Sequence, residues 1–251
     1  MNPFNKTWIV LFRLIVLTLA LLSLPACVEL LEEDDNVARI LCIGNSITIH
    51  PVNDYWWGTW GMAASSRDSD WVHVLQSQLQ RDCSGLECHA VNVTGCFERG
   101  NVTDIKRCID ECDIKDNKVS KELLSQYRLF IIRLGENVID VESFQVRLRQ
   151  LVTSIKKESP NAAIILTGSF LPNDETDYAI MDAAKSTDCR FVSLKECFCT
   201  DNLQEVGEKV YGDDGNIHVI ENEGVANHPS DKGMKAIAGV LADAIRTYSL
   251  I

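Results

Sequence analysis

The sequence predicts an α/β fold, a flavodoxin-like three-layer α/β/α sandwich around a five-stranded parallel sheet. Three observations predict it. Five short segments are rich in consecutive apolar residues, with unbroken runs at Phe130-Ile131-Ile132 and over 162–166, the pattern of strands covered on both faces, as in parallel sheets. Amphipathic segments alternate with them, the order of a doubly wound sheet. Nearly half of the 251 residues are apolar (46%), enough for one large core, and no internal repeat or low-complexity run divides the chain. In such a sheet, ligands sit outside the carboxyl ends of the strands.

The elements follow in order. The first strand covers 38–43 and stops at Gly44-Asn45. Residues 71–79 have helical spacing, with Trp71, Val74, Leu75 and Leu79 apolar. A second strand covers 88–93, and 119–127 reads as a helix. The third strand, 129–134, contains the unbroken run Phe130-Ile131-Ile132. A helix over 141–155 carries Phe144, Val146, Leu148, Leu151 and Ile155. The fourth strand is 162–167, a short helix follows over 179–184, and the fifth strand is 191–194. An amphipathic helix over 234–248 closes the chain. Residues 38–251 therefore read as one domain.

Residues 1–27 read as an export signal. Lys6 opens a basic region, 8–24 is apolar apart from Arg13, Thr18 and Ser23, and the stretch ends Leu24-Pro25-Ala26-Cys27. It is short for a membrane span and is followed by an acidic linker over 28–37 with Glu29, Glu32, Glu33, Asp34 and Asp35. A small residue before cysteine resembles a bacterial lipobox, in which the cysteine is lipidated, although Pro25 departs from that pattern. A lipoprotein signal, a simply cleaved signal and an uncleaved anchor helix stay open. All three place the domain outside the cytosol, as a periplasmic, surface-tethered or secreted protein, with a lipid on Cys27 the expected membrane link.

The charge balance is 24 Lys+Arg against 36 Asp+Glu, a formal net charge of −12. No basic stripe stands out to neutralise phosphates, so nucleic acid is not an expected partner. Export makes disulfides the expectation for the ten cysteines. With Cys27 lipidated and Cys42 buried in a strand, the remaining eight can pair completely. Cys108-x-x-x-Cys112 and Cys197-x-Cys199 lack the paired spacing of structural zinc sites, and no metal is predicted. Asn92 and Asn101 head glycosylation sequons, which matter only in a eukaryotic host.

The chemistry lies just past the strands. The first strand ends Gly44-Asn45-Ser46-Ile47-Thr48, the second Asn92-Val93-Thr94-Gly95, the third Gly135-Glu136-Asn137. The loop before the last helix reads Asn227-His228-Pro229-Ser230-Asp231-Lys232-Gly233. A doubly wound sheet brings these four loops to one edge. Alone, Ser46 is a helix cap, Asn137 another cap, Gly95 a turn glycine and His228 a turn residue. Together they are what acyl transfer needs. A serine hydroxyl requires a base, and histidine titrates in the right range to be one. The backbone N–H groups of Ser46 and Gly95 and the Asn137 side-chain amide can hold the oxyanion of a tetrahedral intermediate.

These four segments resemble the SGNH hydrolases, the branch of GDSL-type esterases named for catalytic Ser, Gly, Asn and His. Gly44-Asn45-Ser46-Ile47-Thr48 resembles the first block, with Asn45 in place of the usual aspartate. Gly95 matches the second-block glycine, Gly135-Glu136-Asn137 the third-block Gly-x-Asn, and His228-Pro229 with Gly233 the last block. The resemblance runs from about residue 38 to the C-terminus. It implies the flavodoxin-like fold and ester hydrolysis without a cofactor, often of acetyl groups on carbohydrates. One position departs: the family's aspartate three residues before the histidine is Val225 here. The expectation is a Ser46–His228 dyad with a backbone carbonyl holding the imidazole, and Glu223 and Asp231 are the nearby acids that could complete a triad instead.

After the nucleophile loop, Tyr55, Trp56, Trp57 and Trp60 fall within six residues. They read either as a substrate wall of aromatic faces for a sugar or acyl group, or as a small local core anchoring a long loop. A glycan or small-molecule ester is the expected partner. Three alternatives to a carbohydrate deacetylase stay open: a lipid or small-ester esterase, an acyltransferase to a sugar hydroxyl, and a non-catalytic carbohydrate-binding surface protein on a hydrolase fold.

Overall fold

The computed structural model describes residues 37–251; the signal over 1–27 and nearly all of the linker over 28–37 lie outside the described residues. The elements are β1 (Arg39–Gly44), α1 (Trp71–Leu79), β2 (Glu87–Asn92), α2 (Ile105–Asp110), β3 (Ile114–Lys115), β4 (Tyr127–Arg133), α3 (Val141–Glu158), β5 (Ala163–Thr167), α4 (Asp174–Ser186), β6 (Arg190–Val192), β7 (Lys209–Tyr211), β8 (Ile217–Val219), α5 (Glu223–Ala226) and α6 (Asp231–Tyr248). The main sheet has the order β3-β2-β1-β4-β5-β6. Five strands are parallel, and the two-residue β3 is an antiparallel edge on β2. Without that edge, the five parallel strands have the flavodoxin-like 2-1-3-4-5 order.

The unbroken apolar strands serve two cores. Ile40 and Cys42 of β1 and Leu129 and Ile131 of β4 pack on one side with α1 and α6, through Trp71, Leu75, Ile237 and Leu241. Their neighbours Leu41, Ile43, Phe130 and Ile132 pack on the other side with α3 and α4, through Phe144, Leu148 and Ile180. Alternate side chains leave opposite faces of a strand, so a strand covered twice is apolar at consecutive positions, and polar residues such as Asn92, Arg133 and Thr167 stand at the carboxyl end.

Asp70, Asp140 and Asn173 cap α1, α3 and α4 by accepting from the backbone N–H of His73, Ser143 and Thr176. The Asn173 cap explains why α4 begins well before the expected 179. The expected helix over 119–127 is instead a 3₁₀ turn, Lys121–Gln126, and Tyr127 already begins β4. The expected disulfides are absent among the described residues: all nine described cysteines are free thiols. Cys42, Cys88, Cys96, Cys108 and Cys197 are buried, where thiols pack as small apolar groups.

Candidate active site

β1 ends in a tight turn. The Asn45 carbonyl accepts from the N–H groups of Thr48 (2.9 Å) and Ile49 (3.1 Å), and its side-chain Oδ1 accepts from Ile47 N–H at 3.2 Å. This lifts Ser46 out at the carboxyl end of the sheet. Asn92, at the end of β2, donates its Nδ2 to the Ile49 carbonyl at 2.8 Å and ties the two loops together.

α5 and the loop behind it bring His228 over β1. Ser46 Oγ lies 2.9 Å from His228 Nε2, and His228 Nδ1 lies 2.8 Å from the Gly224 carbonyl oxygen. A carbonyl only accepts, so Nδ1 carries the proton and donates it to Gly224. Nε2 is then the unprotonated nitrogen and accepts from the serine hydroxyl. Burial, as the largest influence, pushes the His228 pKa down to about 4, and the charge of nearby His50 adds to it. The imidazole is therefore neutral at neutral pH.

Val225, where the resemblance places an acid, is buried in the apolar core. The other nearby acids do not reach His228. Asp231 accepts from Ser65 N–H (2.7 Å) and Oγ (2.6 Å), fastening α6 to the loop before α1. Glu223 forms no side-chain hydrogen bond or ion pair to the imidazole.

Asn137 lines the same cavity as Ser46 and His228, a space of about 670 Å³. Its Nδ2 donates to Glu98 Oε2 at 2.8 Å, and its Oδ1 accepts from Arg99 Nη2 at 3.4 Å, so both neighbours orient the amide. The second Nδ2 hydrogen is left for a ligand. Glu98 Oε1 also accepts from Gly135 N–H at 2.8 Å. Burial, then the charge of Glu136, pushes the Glu98 pKa up. Gly135 has φ +141°, and a Cβ there would stand 2.6 Å from Ser169 Oγ, so glycine is needed.

Gly95 stands in the π-helical turn Thr94–Glu98 after β2. Its neighbour Thr94 lines the cavity, as does Asp113, whose Oδ1 lies 2.8 Å from where a Gly95 Cβ would be. A side chain at 95 would displace this carboxylate.

The three tryptophans part company. Trp56 and Trp60 are buried and meet edge to face at 5.8 Å, and Trp60 Nε1 donates to the Ala64 carbonyl. These two form the local core that anchors the loop; they do not line the catalytic cavity. Tyr55 lines that cavity, and Trp57 lies in an adjoining one.

Sequence reasoning missed Glu98 and a second buried network. Arg133, fully buried at the end of β4, donates to Glu136 Oε1 (3.0 Å) and to Asn45 Oδ1 (3.2 Å). Glu136 also accepts from Asn45 Nδ2 (2.7 Å) and from Phe170 N–H (2.9 Å). This bolts the nucleophile turn to the loops after β4 and β5. It also explains Asn45: an aspartate there would set a second carboxylate against Glu136, whereas the amide donates to it. Among the described residues, no group of three or more His, Cys, Asp or Glu side chains is placed to hold a metal ion.

The α/β sandwich is similar in fold to solved structures of esterases and of a lipase, at low sequence identity. It matches a carbohydrate esterase family 2 enzyme with a carbohydrate-binding domain from Corynascus thermopiles (Myceliophthora fergusii) at TM-score 0.52 and 16% identity, over 84% of this chain and 66% of that one. It matches a two-domain esterase active on acetylated mannans, co-crystallised with mannopentaose, at 0.54 and 13% identity, over 84% and 50%. It also matches a GDSL-like lipase from Parabacteroides merdae at 0.50 and 16% identity, over 85% and 96%. The chain thus spans from half to about two thirds of the two carbohydrate esterases. No protein-family model matches the sequence, and no curated protein matches it.

Proposed function

We propose that this protein is a serine esterase that removes acetyl groups from carbohydrate. The observation that carries the reading is the Ser46–His228–Gly224 relay, 2.9 Å and then 2.8 Å, at the wall of a 670 Å³ cavity. Likeness of fold to esterases that act on glycans supports the substrate class.

In the proposed reaction, Ser46 Oγ attacks the acetyl carbonyl carbon as its proton passes to His228 Nε2. The oxyanion accepts hydrogen bonds from the free Nδ2 hydrogen of Asn137 and from the backbone N–H groups of Ser46 and Gly95. As the intermediate collapses, the sugar oxygen leaves and takes the proton from Nε2. Water, deprotonated by Nε2, then attacks the acetyl-Ser46 ester and frees acetate. The Gly224 carbonyl holds the imidazole in the required tautomer throughout, so Val225 does not imply a lost activity. No cofactor is needed. The signal-like N-terminal segment supports an exported location, with Cys27 as lipid anchor or cleaved away; the mass of the mature N-terminus decides.

The test is hydrolysis of 4-nitrophenyl acetate by the full chain beside Ser46→Ala, with fluorophosphonate labelling. Turnover and labelling by the wild type, both lost in the variant, are expected. Equal slow rates with no label on Ser46 would leave a carbohydrate-binding surface protein as the better reading.

A further inference from the structure

Resting on that reading, we infer that the groove running from the catalytic cavity past Tyr55 and Asn222 to Trp57 is a second sugar subsite. It would take the neighbouring pyranose of a neutral acetylated glycan.

The space at Trp57 measures about 260 Å³ and is walled by Asp54, Tyr55, Trp57, Glu221 and Asn222. Tyr55 and Asn222 also wall the catalytic cavity, so the two spaces share a boundary. The volume lies just under the ~300–1,000 Å³ of ligand pockets, the size for one ring rather than a chain.

Trp57 is built as a fixed platform. Its ring stacks on His218 with centroids 4.4 Å apart and planes 5° from parallel. His218 Nε2 lies 3.0 Å from both carboxylate oxygens of Asp214, and the Trp57 carbonyl accepts from Asp213 N–H at 2.8 Å. A flat apolar surface held from behind loses little freedom when a sugar's C–H face lies on it. The segment Tyr55-Trp56-Trp57 explains the arrangement. Trp56 is fully buried and anchors the loop, so its two neighbours are left to face the groove.

The polar groups specify a neutral ligand. Among the described residues, the Asp54 and Glu221 side chains have no hydrogen-bond or ion-pair partner, although both wall the space. Carboxylates accept only, and sugar hydroxyls donate. No Lys or Arg lines this space, so a uronic acid would meet two carboxylates uncompensated.

The test compares an acetylated manno-oligosaccharide with 4-nitrophenyl acetate, which is too small to reach Trp57. Wild type, Trp57→Ala, Trp57→Phe and Tyr55→Ala are assayed as full chains. The expected result is a fall of about 3–10-fold in the ratio of kcat/KM for oligosaccharide over kcat/KM for small ester in Trp57→Ala, carried by KM. Trp57→Phe should recover most of it, and Tyr55→Ala, which leaves the His218 stack intact, should lower the ratio too. An unchanged ratio overturns the subsite, as does an equal loss on both substrates. A second arm separates this from failure of the esterase reading: Ser46→Ala protein is titrated with unacetylated mannopentaose and cellohexaose. Binding weakened by Trp57→Ala supports the subsite even if no ester is turned over, and absence of binding to either sugar overturns it.

Discussion

The acid limb of the pH profile is the sharpest test of the dyad. His228 must be neutral to accept the Ser46 proton, and burial sets its pKa at about 4 in place of the ordinary 6.5. At pH 5.5, a base with a pKa of about 4 is roughly 97% neutral, while one at 6.5 is only about 9% neutral. So kcat/KM at pH 5.5 should stay near its plateau, where an ordinary histidine would lose about tenfold; the free enzyme's pKa is what kcat/KM reports. The assay is initial-rate hydrolysis of 4-nitrophenyl acetate from pH 4 to 8, with Ser46→Ala subtracted at each pH. The same shift bears on stability. The fold disfavours the protonated ring, so the His228 contribution is complete above about pH 6.5. It is lost as pH falls from 6.5 towards 4, where the unfolded chain takes up a proton that the fold resists. His228→Asn should therefore flatten part of the fall in Tm on the acid side. A kcat/KM limb at pH 6–7, with no effect of that variant on the Tm curve, would refute the argument, because the ring would then be solvated and freely protonated.

Other outcomes follow from named contacts. Asn137→Ala should lower kcat by about 10²–10³-fold with the fold intact by circular dichroism. Glu98→Gln should lower kcat by about tenfold, because a glutamine can accept from only one of Asn137 and Gly135; in the Asn137→Ala background it should add little, as a double-mutant cycle reads. Asn45→Asp should cost about 1.5–3 kcal/mol in urea denaturation by replacing the donor to Glu136 with a second carboxylate, and Glu136→Gln should recover part of that loss. Trp56→Ala should cost about 3–5 kcal/mol, the cavity penalty of a fully buried ring, and Trp57→Ala much less.

The parts of the fold that could be read were those dictated by burial on two faces. The five parallel strands stand close to where apolar runs place them, to within two residues, since a side chain such as Ile40 or Leu41 has a core to enter whichever way it points. Elements with short or one-sided cores left no such trace. β3 pairs only Ile114 and Lys115, α2 has six residues, and the β7–β8 hairpin exposes Tyr211, Ile217 and Val219. The turn 119–127 misled because Leu123, Leu124 and Tyr127 suit a 3₁₀ turn entering a strand as well as a helix. Disulfides were inferred from an exported setting, but the described cysteines are free thiols; Cys42 with Cys88 and Cys96 with Cys108 pack as neighbouring buried thiols, pairings that cysteine spacing does not reveal.

The site was legible where chemistry and strand ends coincide, and illegible where a role depends on contact across the chain. Ser46, Asn137 and His228 follow strand ends or precede a helix, so topology brings them together. Glu98 reaches Asn137 from 39 residues away, and Asn45 reaches Glu136 from 91. The single available signal was Arg133, a cation closing an apolar strand, which must find an anion once buried. Val225 is the instructive case. An acid at that position would do two things for the imidazole: fix its tautomer and stabilise its charged form. The Gly224 carbonyl does the first with a dipole. It does the second weakly, and burial opposes it, which is why the His228 pKa lies near 4. In the proposed reaction, a weaker base draws the serine proton less strongly and slows each turnover, yet it remains unprotonated well below neutrality. Catalytic bases work best when their pKa lies near the operating pH. On the proposed esterase reading, a base held by a carbonyl in place of an acid gives up rate at neutral pH and keeps activity in acid, which is the trade the pH profile tests.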